Sequence, residues 1–121
     1  MPNGTKRFDL EERSLAFARE TRVFLRKLPR SISNAEDTKQ LARSSGAIGA
    51  NYLEANESLG KKDFAMRLRI ARKEAKETCF WLDLLDTGGN VILENTRKQL
   101  RGEARELMLI LTAIINKVST T

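Results

Sequence analysis

A chain of 121 residues, 40% of them hydrophobic, is long enough to bury one core and short for two, which points to a single domain over 1–121. Lys and Arg outnumber Asp and Glu by 22 to 16, and the resulting pI near 9.8 suits an anionic partner such as nucleic acid, although a bundle of mixed surface charge reaches the same balance without one. The lone Cys79 excludes an internal disulfide, the opening Met1–Ser14 lacks the apolar core of a secretory leader, and no run is apolar for long enough to cross a membrane, so the expected setting is cytoplasmic, without membrane contact.

Asp9 is placed to cap a first helix over 9–28, with Glu12 three residues on as in a capping box. Phe17, Thr21, Phe24 and Leu28 recur on one face, and Pro29 ends the helix because proline disfavours helical geometry in the residue before it. Ser33 or Asn34 can cap a second helix over 34–58, which opens on Glu36 and Asp37 and buries Leu41, Ser45, Ile48, Tyr52, Ala55 and Leu59. Its first half carries Ser44, Ser45, Gly46, Ala47, Gly49 and Ala50. Each helical glycine costs about 1 kcal/mol relative to alanine, so this run calls for close contact with another backbone.

A turn near Gly60 leads into a third helix over 62–86. Its seam is Phe64, Leu68, Ala71, Ala75, Thr78, Leu82 and Leu85, with Ile70, Phe80, Trp81 and Leu84 beside it. Gly88, Gly89 and Asn90 end this helix, and a fourth over 94–118 repeats the rhythm at Leu100, Ala104, Leu107, Leu111, Ile114 and Val118. Four helices of matched length joined by short loops predict an all-α, antiparallel up-down-up-down bundle. Within Leu107–Val118 nine of twelve residues are apolar, more than one stripe can hold, which predicts an outer face covered by another subunit and hence a homo-oligomer.

The chain has no histidine, which removes Ser-His-Asp and Cys-His nucleophile arrangements and most zinc sites. Glu54 with Glu57, Glu74 with Glu77, Asp83 with Asp86, and Glu103 with Glu106 have the spacing found in di-iron bundles but lack the imidazole, and read as solvated carboxylates paired with nearby Lys and Arg. GKKD after Leu59 is not a phosphate loop, and Cys79 has no nearby base. The expectation is a protein that is not an enzyme, with no metal and no cofactor.

Basic residues fall in stripes at helical spacing: Arg19, Arg22, Arg26 and Arg30 on the first helix, Arg69, Arg72, Lys73 and Lys76 on the third, and Arg97, Lys98, Arg101 and Arg105 on the fourth. Each stripe can neutralise phosphates along a backbone, or can be a solvated face with partners one turn away. Asn51 and Glu54 lie roughly level with Arg67–Ile70 of the third helix, where Arg67 or Arg69 can reach them in a cluster that fixes register.

The run Ser44–Ala55, SSGAIGANYLEA, followed by KKDF at Lys61–Phe64 and then by Leu68, Ile70, Ala71, Lys73, Glu74, Glu77, Thr78, Trp81, Leu82, Leu84 and Leu85, resembles a family of bacterial four-helix bundle proteins. These are encoded in intervening sequences of large-subunit ribosomal RNA genes and labelled S23 ribosomal proteins. A more distant similarity is to the accessory variability determinant protein of diversity-generating retroelements. The resemblance implies a closed ring of five bundles with a basic surface and, from the accessory protein, binding to nucleic acid and to a reverse transcriptase. It supplies no catalytic residues, and Asn51, Glu54, Glu74 and Glu77 within the motif read as packing and register positions. The expected function is a non-catalytic nucleic-acid-binding or ribonucleoprotein accessory scaffold: a homopentamer that meets RNA or DNA through its basic faces, with a reverse transcriptase or other acidic protein as a further partner. The alternative is a protein-interaction scaffold with no nucleic-acid role.

Overall fold

The computed structural model describes the backbone of residues 5–119 and the side chains from Leu10 to Ser119. Four helices account for most of it, with no strand among the described residues: α1 (Thr5–Arg26), α2 (Ile32–Asn56), α3 (Lys61–Leu84) and α4 (Val91–Ser119). Each helix packs on its sequence neighbours, α1 closes on α4, and the diagonal pairs stay apart. Arg22 meets Ala42 while Ser14 meets Gly49, and Asp83 meets Arg101 while Arg69 meets Ser119, so α1 with α2 and α3 with α4 run antiparallel, and the short turn between α2 and α3 reverses the chain once more. This is the up-down-up-down bundle that the hydrophobic rhythm predicts.

The ends of the helices differ from expectation for local reasons. α1 begins at Thr5, so Asp9 lies inside the helix rather than capping it. α2 is capped by Ser31, whose hydroxyl accepts the Asn34 N–H at 3.0 Å, in place of Ser33 or Asn34. α2 ends at Asn56 because Gly60, in extended backbone, caps α3; Leu59 is left in the loop, fully exposed instead of in the core. α3 stops at Leu84, where Leu85 turns extended but stays buried. α4 starts three residues early because the Asn90 side chain accepts the Leu93 N–H at 3.0 Å.

The interior follows the seams, with Phe17, Phe24, Leu41, Ile48, Leu68, Leu82, Leu107 and Leu111 almost free of solvent contact. Several of the buried side chains on α2 and α3 are small, with Ser44 and Thr78 in direct contact and Ala71 and Ala75 beside them. Thr78 Oγ1 donates to Ser44 Oγ at 2.9 Å and lies 2.8 Å from the Glu74 carbonyl, so the buried hydroxyls have partners. The glycines face α1. A Cβ on Gly49 would lie 2.8 Å from Ser14 Oγ and 3.2 Å from Ser14 Cβ, whereas one on Gly46 would meet only the movable Arg22 guanidinium, at 3.4 Å.

The apolar excess of α4 is distributed otherwise than its count suggests. Leu107, Leu111 and Ile115 are buried, while Met108, Ile110 and Ile114 pack half-buried against the core. Only Leu109 and Ala113 of this stretch, with the polar Asn116 and Lys117, are exposed. A helix wedged between two neighbours fills both flanks with apolar residues, so its outer strip is narrower than nine apolar residues in twelve implies.

The two loops at one end of the bundle are tied together. Asn34, buried, donates from Nδ2 to the Pro29 carbonyl at 2.9 Å and the Asp86 carbonyl at 2.8 Å, and its Oδ1 accepts the Asp86 N–H at 3.0 Å. Arg97 donates to the Leu82 and Leu85 carbonyls and to Glu94, covering the carbonyl end of α3. Gly88 and Gly89 take positive φ in the turn between. Hydrogen bonds from Arg97 and then Thr87 hold the Glu94 carboxyl below its ordinary range.

Gly46→Ala is expected to raise stability by up to about 1 kcal/mol through helix propensity. Gly49→Ala should lower it, and Ser14→Ala should recover part of that loss by removing the hydroxyl. Urea midpoints of the two single variants and the double measure both. Arg97→Met should destabilise by about 3 kcal/mol, because it leaves α3 carbonyls without a charged donor. The contribution of Glu94 is present above the ordinary glutamate pKa of about 4.3 and is lost as pH falls through its depressed folded value. Glu94→Gln should therefore flatten the acid limb of the stability profile, measured by thermal melts from neutral to strongly acidic pH.

Candidate functional site

The basic stripes of α3 and α4 meet. Arg69, Arg72, Lys76, Cys79 and Asp83 recur at three- and four-residue steps along the flank of α3 that faces α4. On the facing flank of α4 the same steps carry Lys98, Arg101 and Arg105. Register is set by Arg101, whose Nε donates to Asp83 Oδ1 at 2.8 Å, and at the far end by Arg69, whose guanidinium reaches Ser119 Oγ at 3.4 Å. Because the helices are antiparallel, the α4 cations follow on where the α3 cations stop. The order along the seam is Arg69, Arg72, Lys76, Arg105, Arg101, Lys98, over about 25 Å at 1.5 Å per residue. Arg72, Lys76 and Arg105 form no ion pair among the described residues. The hydrogen bond from Arg101 to Asp83 holds that guanidinium firmly charged.

Cys79 lies in this seam with its thiol 3.9 Å from the Arg101 carbonyl. Burial pushes its pKa up, more than the charges of Arg101 and Arg105 pull it down, so the sulfur is a neutral packing group.

Two residues assigned to the α3 and α4 stripes are elsewhere. Arg97 is turned inward onto the α3 carbonyls, its side chain only 15% exposed, because the end of a helix supplies acceptors that a nearby guanidinium satisfies. Lys73 is exposed on the outer face of α3, which it shares by periodicity with Phe80 and Leu84, and it does not join the seam. Arg19 and Arg26 are exposed on α1, diagonal to α3, and Arg30 is exposed in the α1–α2 loop because α1 ends at Arg26, so the expected stripe is interrupted and separate from the seam. Arg22 leans onto α2, donating to the Ala42 carbonyl at 3.1 Å and to the Ala18 carbonyl at 3.2 Å.

The expected register cluster does not form as drawn. Asn51 Nδ2 bonds the Ala47 carbonyl of its own helix at 2.9 Å, Glu54 is exposed, and Arg69 points to α4 rather than α2. Glu74 and Glu77 do bridge the helices, through Arg43 on α2. Its Nη2 lies 3.2 Å from Glu74 Oε1 and 3.3 Å from Glu77 Oε1, and Nη1 donates to Glu74 Oε2 at 3.3 Å. The buried Glu74 raises the Arg43 pKa through this bond. Arg43 escaped sequence reasoning, yet a signal existed: Arg43 and Glu77 are equally far in sequence from Gly60, the turn of the hairpin. A second missed pair, Arg13 Nε and Nη2 on Glu103 at 2.7 and 2.9 Å, joins α1 to α4.

On the other side, Leu15, Ala18, Gly46, Gly49, Ala50 and Leu53 line a shallow apolar groove between α1 and α2, rimmed by Arg19 and Arg22. Leu15 and Leu53 remain about half exposed there.

Comparison with known proteins bears on the whole bundle. No protein of curated function is significantly similar to the chain. A crystal structure of a protein of unknown function from the S23 ribosomal protein family of Bacteroides thetaiotaomicron superposes with a TM-score of 0.74 at 29% identity, over 88% of this chain and 97% of that one. The model of the family described as 23S rRNA-intervening sequence protein matches residues 6–113, which reaches into all four helices and includes the six cations of the basic seam. The chain belongs to the 23S rRNA-intervening sequence protein family.

Proposed function

We propose that this protein is a non-catalytic accessory scaffold that binds the phosphate backbone of nucleic acid along the α3–α4 seam. The observation that carries this reading is the convergence of two stripes, on two helices, into one line of cations with Asp83 as the carboxylate paired within it. Solvated helix faces interleave both signs one turn apart, whereas here one carboxylate stands among six cations, an excess of charge suited to an anionic polymer. Phe80, packed edge to face on Trp81, lies on the outer face of α3 beside the seam, one turn from Lys76, and a single bordering ring favours a contact with backbone over readout of bases. The reading includes assembly as a homopentamer, which would repeat the seam around a ring. Exposed Leu15 and Leu53 favour a second reading in which the α1–α2 groove serves a protein partner.

Fluorescence anisotropy with labelled RNA and DNA across a salt series tests the first reading. Affinity should fall steeply with salt, and Arg72→Glu with Arg105→Glu should abolish binding while Lys39→Glu, on α2, leaves it intact. Asp83→Asn should strengthen binding and steepen the log–log salt slope by about 0.7–0.9, the increment for one more phosphate contact. Equal loss in the Lys39 control, or no binding at low salt, counts against the seam. Light scattering should give a mass near five protomers; a monomer would remove the ring.

A further inference from the structure

We infer that the ligand of the α3–α4 seam is a single strand rather than a duplex; this rests on the phosphate-binding reading above. The argument is one of shape. Six cations, from Arg69 through Arg72, Lys76, Arg105 and Arg101 to Lys98, follow a course about 25 Å long at 1.5 Å per residue, confined to the shared flank of two antiparallel helices whose axes pack about 8–10 Å apart. Successive α-carbons along each stripe are about 4.5–6 Å apart in height, three or four residues at 1.5 Å each.

A strand within a duplex cannot follow that course. It completes a turn in roughly 10 base pairs, so each step swings it by about a tenth of a turn away from a straight line. Two steps either side of the point of contact, the backbone has curved off the protein. Only the middle of the line, Lys76 and Arg105, would then touch phosphate, leaving Arg69 and Lys98 at the ends without a role. A single strand has no such constraint and can lie along the seam end to end. The seam also lacks the features that fit a duplex. No helix stands out from the bundle to enter a groove, since all four lie along its length, and the loop end is closed by Asn34 and Arg97.

The occupant is therefore a short stretch of single-stranded RNA or DNA, held by its phosphates and without sequence preference. Aromatic stacking is not part of the site, which distinguishes it from the aromatic platforms common among single-strand binders. With Arg101 held by Asp83, roughly five contacts at about 0.7 each predict a log–log salt slope of about −3.5 for single strands.

The test is equilibrium binding of the full chain to a mixed-sequence single strand and to the blunt duplex of the same length, at one low salt concentration. The single strand is expected to bind at least tenfold more tightly. Arg69→Gln and Lys98→Gln, at the two ends of the line, should each weaken single-strand binding roughly threefold to tenfold and leave duplex binding unchanged; unaltered circular dichroism shows that the fold is kept. Equal or tighter binding of the duplex overturns the inference while leaving the phosphate-binding reading in place. Single-strand binding indifferent to both end variants also overturns it, and failure of both ligands to bind overturns both readings.

Discussion

Everything in this bundle depends on how α2 lies against α3. Large side chains of both helices, Leu41, Ile48, Leu68 and Leu82, point into the common core, while Ser44, Ala71, Ala75 and Thr78 are small, so the direct contact depends less on interlocking bulk than on polar groups. Register comes from polar groups. Arg43 reaches across to the buried Glu74 and to Glu77, and Thr78 bonds Ser44 in the dry interior. A carboxylate as buried as Glu74 tolerates no shift of its partner, because sliding by one turn would strand a charge away from water. Coarse attraction and fine alignment are thus supplied by different residues.

That alignment passes to the remaining helices through the loop end. With α2 and α3 in register, Asn34 sits beside Asp86 and ties the α1–α2 loop to the α3–α4 loop by three hydrogen bonds. Arg97 then places the start of α4 against the end of α3. Only with this placement do Lys98, Arg101 and Arg105 continue the line begun by Arg69, Arg72 and Lys76. The basic seam is a consequence of register, and Arg97, turned inward onto the α3 carbonyls, helps build the seam rather than belonging to it.

The close approach of α1 to α2 has a different origin. Gly49 admits Ser14 where any Cβ would collide, and the neighbouring small residues leave a groove whose rims are Arg19 and Arg22. The same economy of side-chain volume that brings two backbones together therefore leaves a depression on the surface. The groove lies between α1 and α2 and the seam between α3 and α4, on opposite sides of the bundle, so the basic residues of α1 do not continue the line begun on α3.

Much of this was legible in the sequence and some was not, for a physical reason. Helix number, order and inward faces follow from periodicity, because the hydrophobic effect acts on each residue according to its own face: Phe17, Leu41, Leu68 and Leu107 were all placed correctly without knowledge of a partner. The helix ends were less legible, since Ser31, Gly60 and Asn90 compete with near neighbours of equal capping ability, and the choice is made by the loop contacts. The destination of a charge was not legible at all from its own helix. Arg97, Arg101 and Arg105 have the same spacing and chemistry, yet one caps α3, one pairs with Asp83 and one stays open, according to what the neighbouring helix offers at that height. The chain by itself determined which residues face inward; only the tertiary structure decided which cations remain for a ligand, because a long charged side chain takes its partner from the adjacent helix and not from its own periodicity.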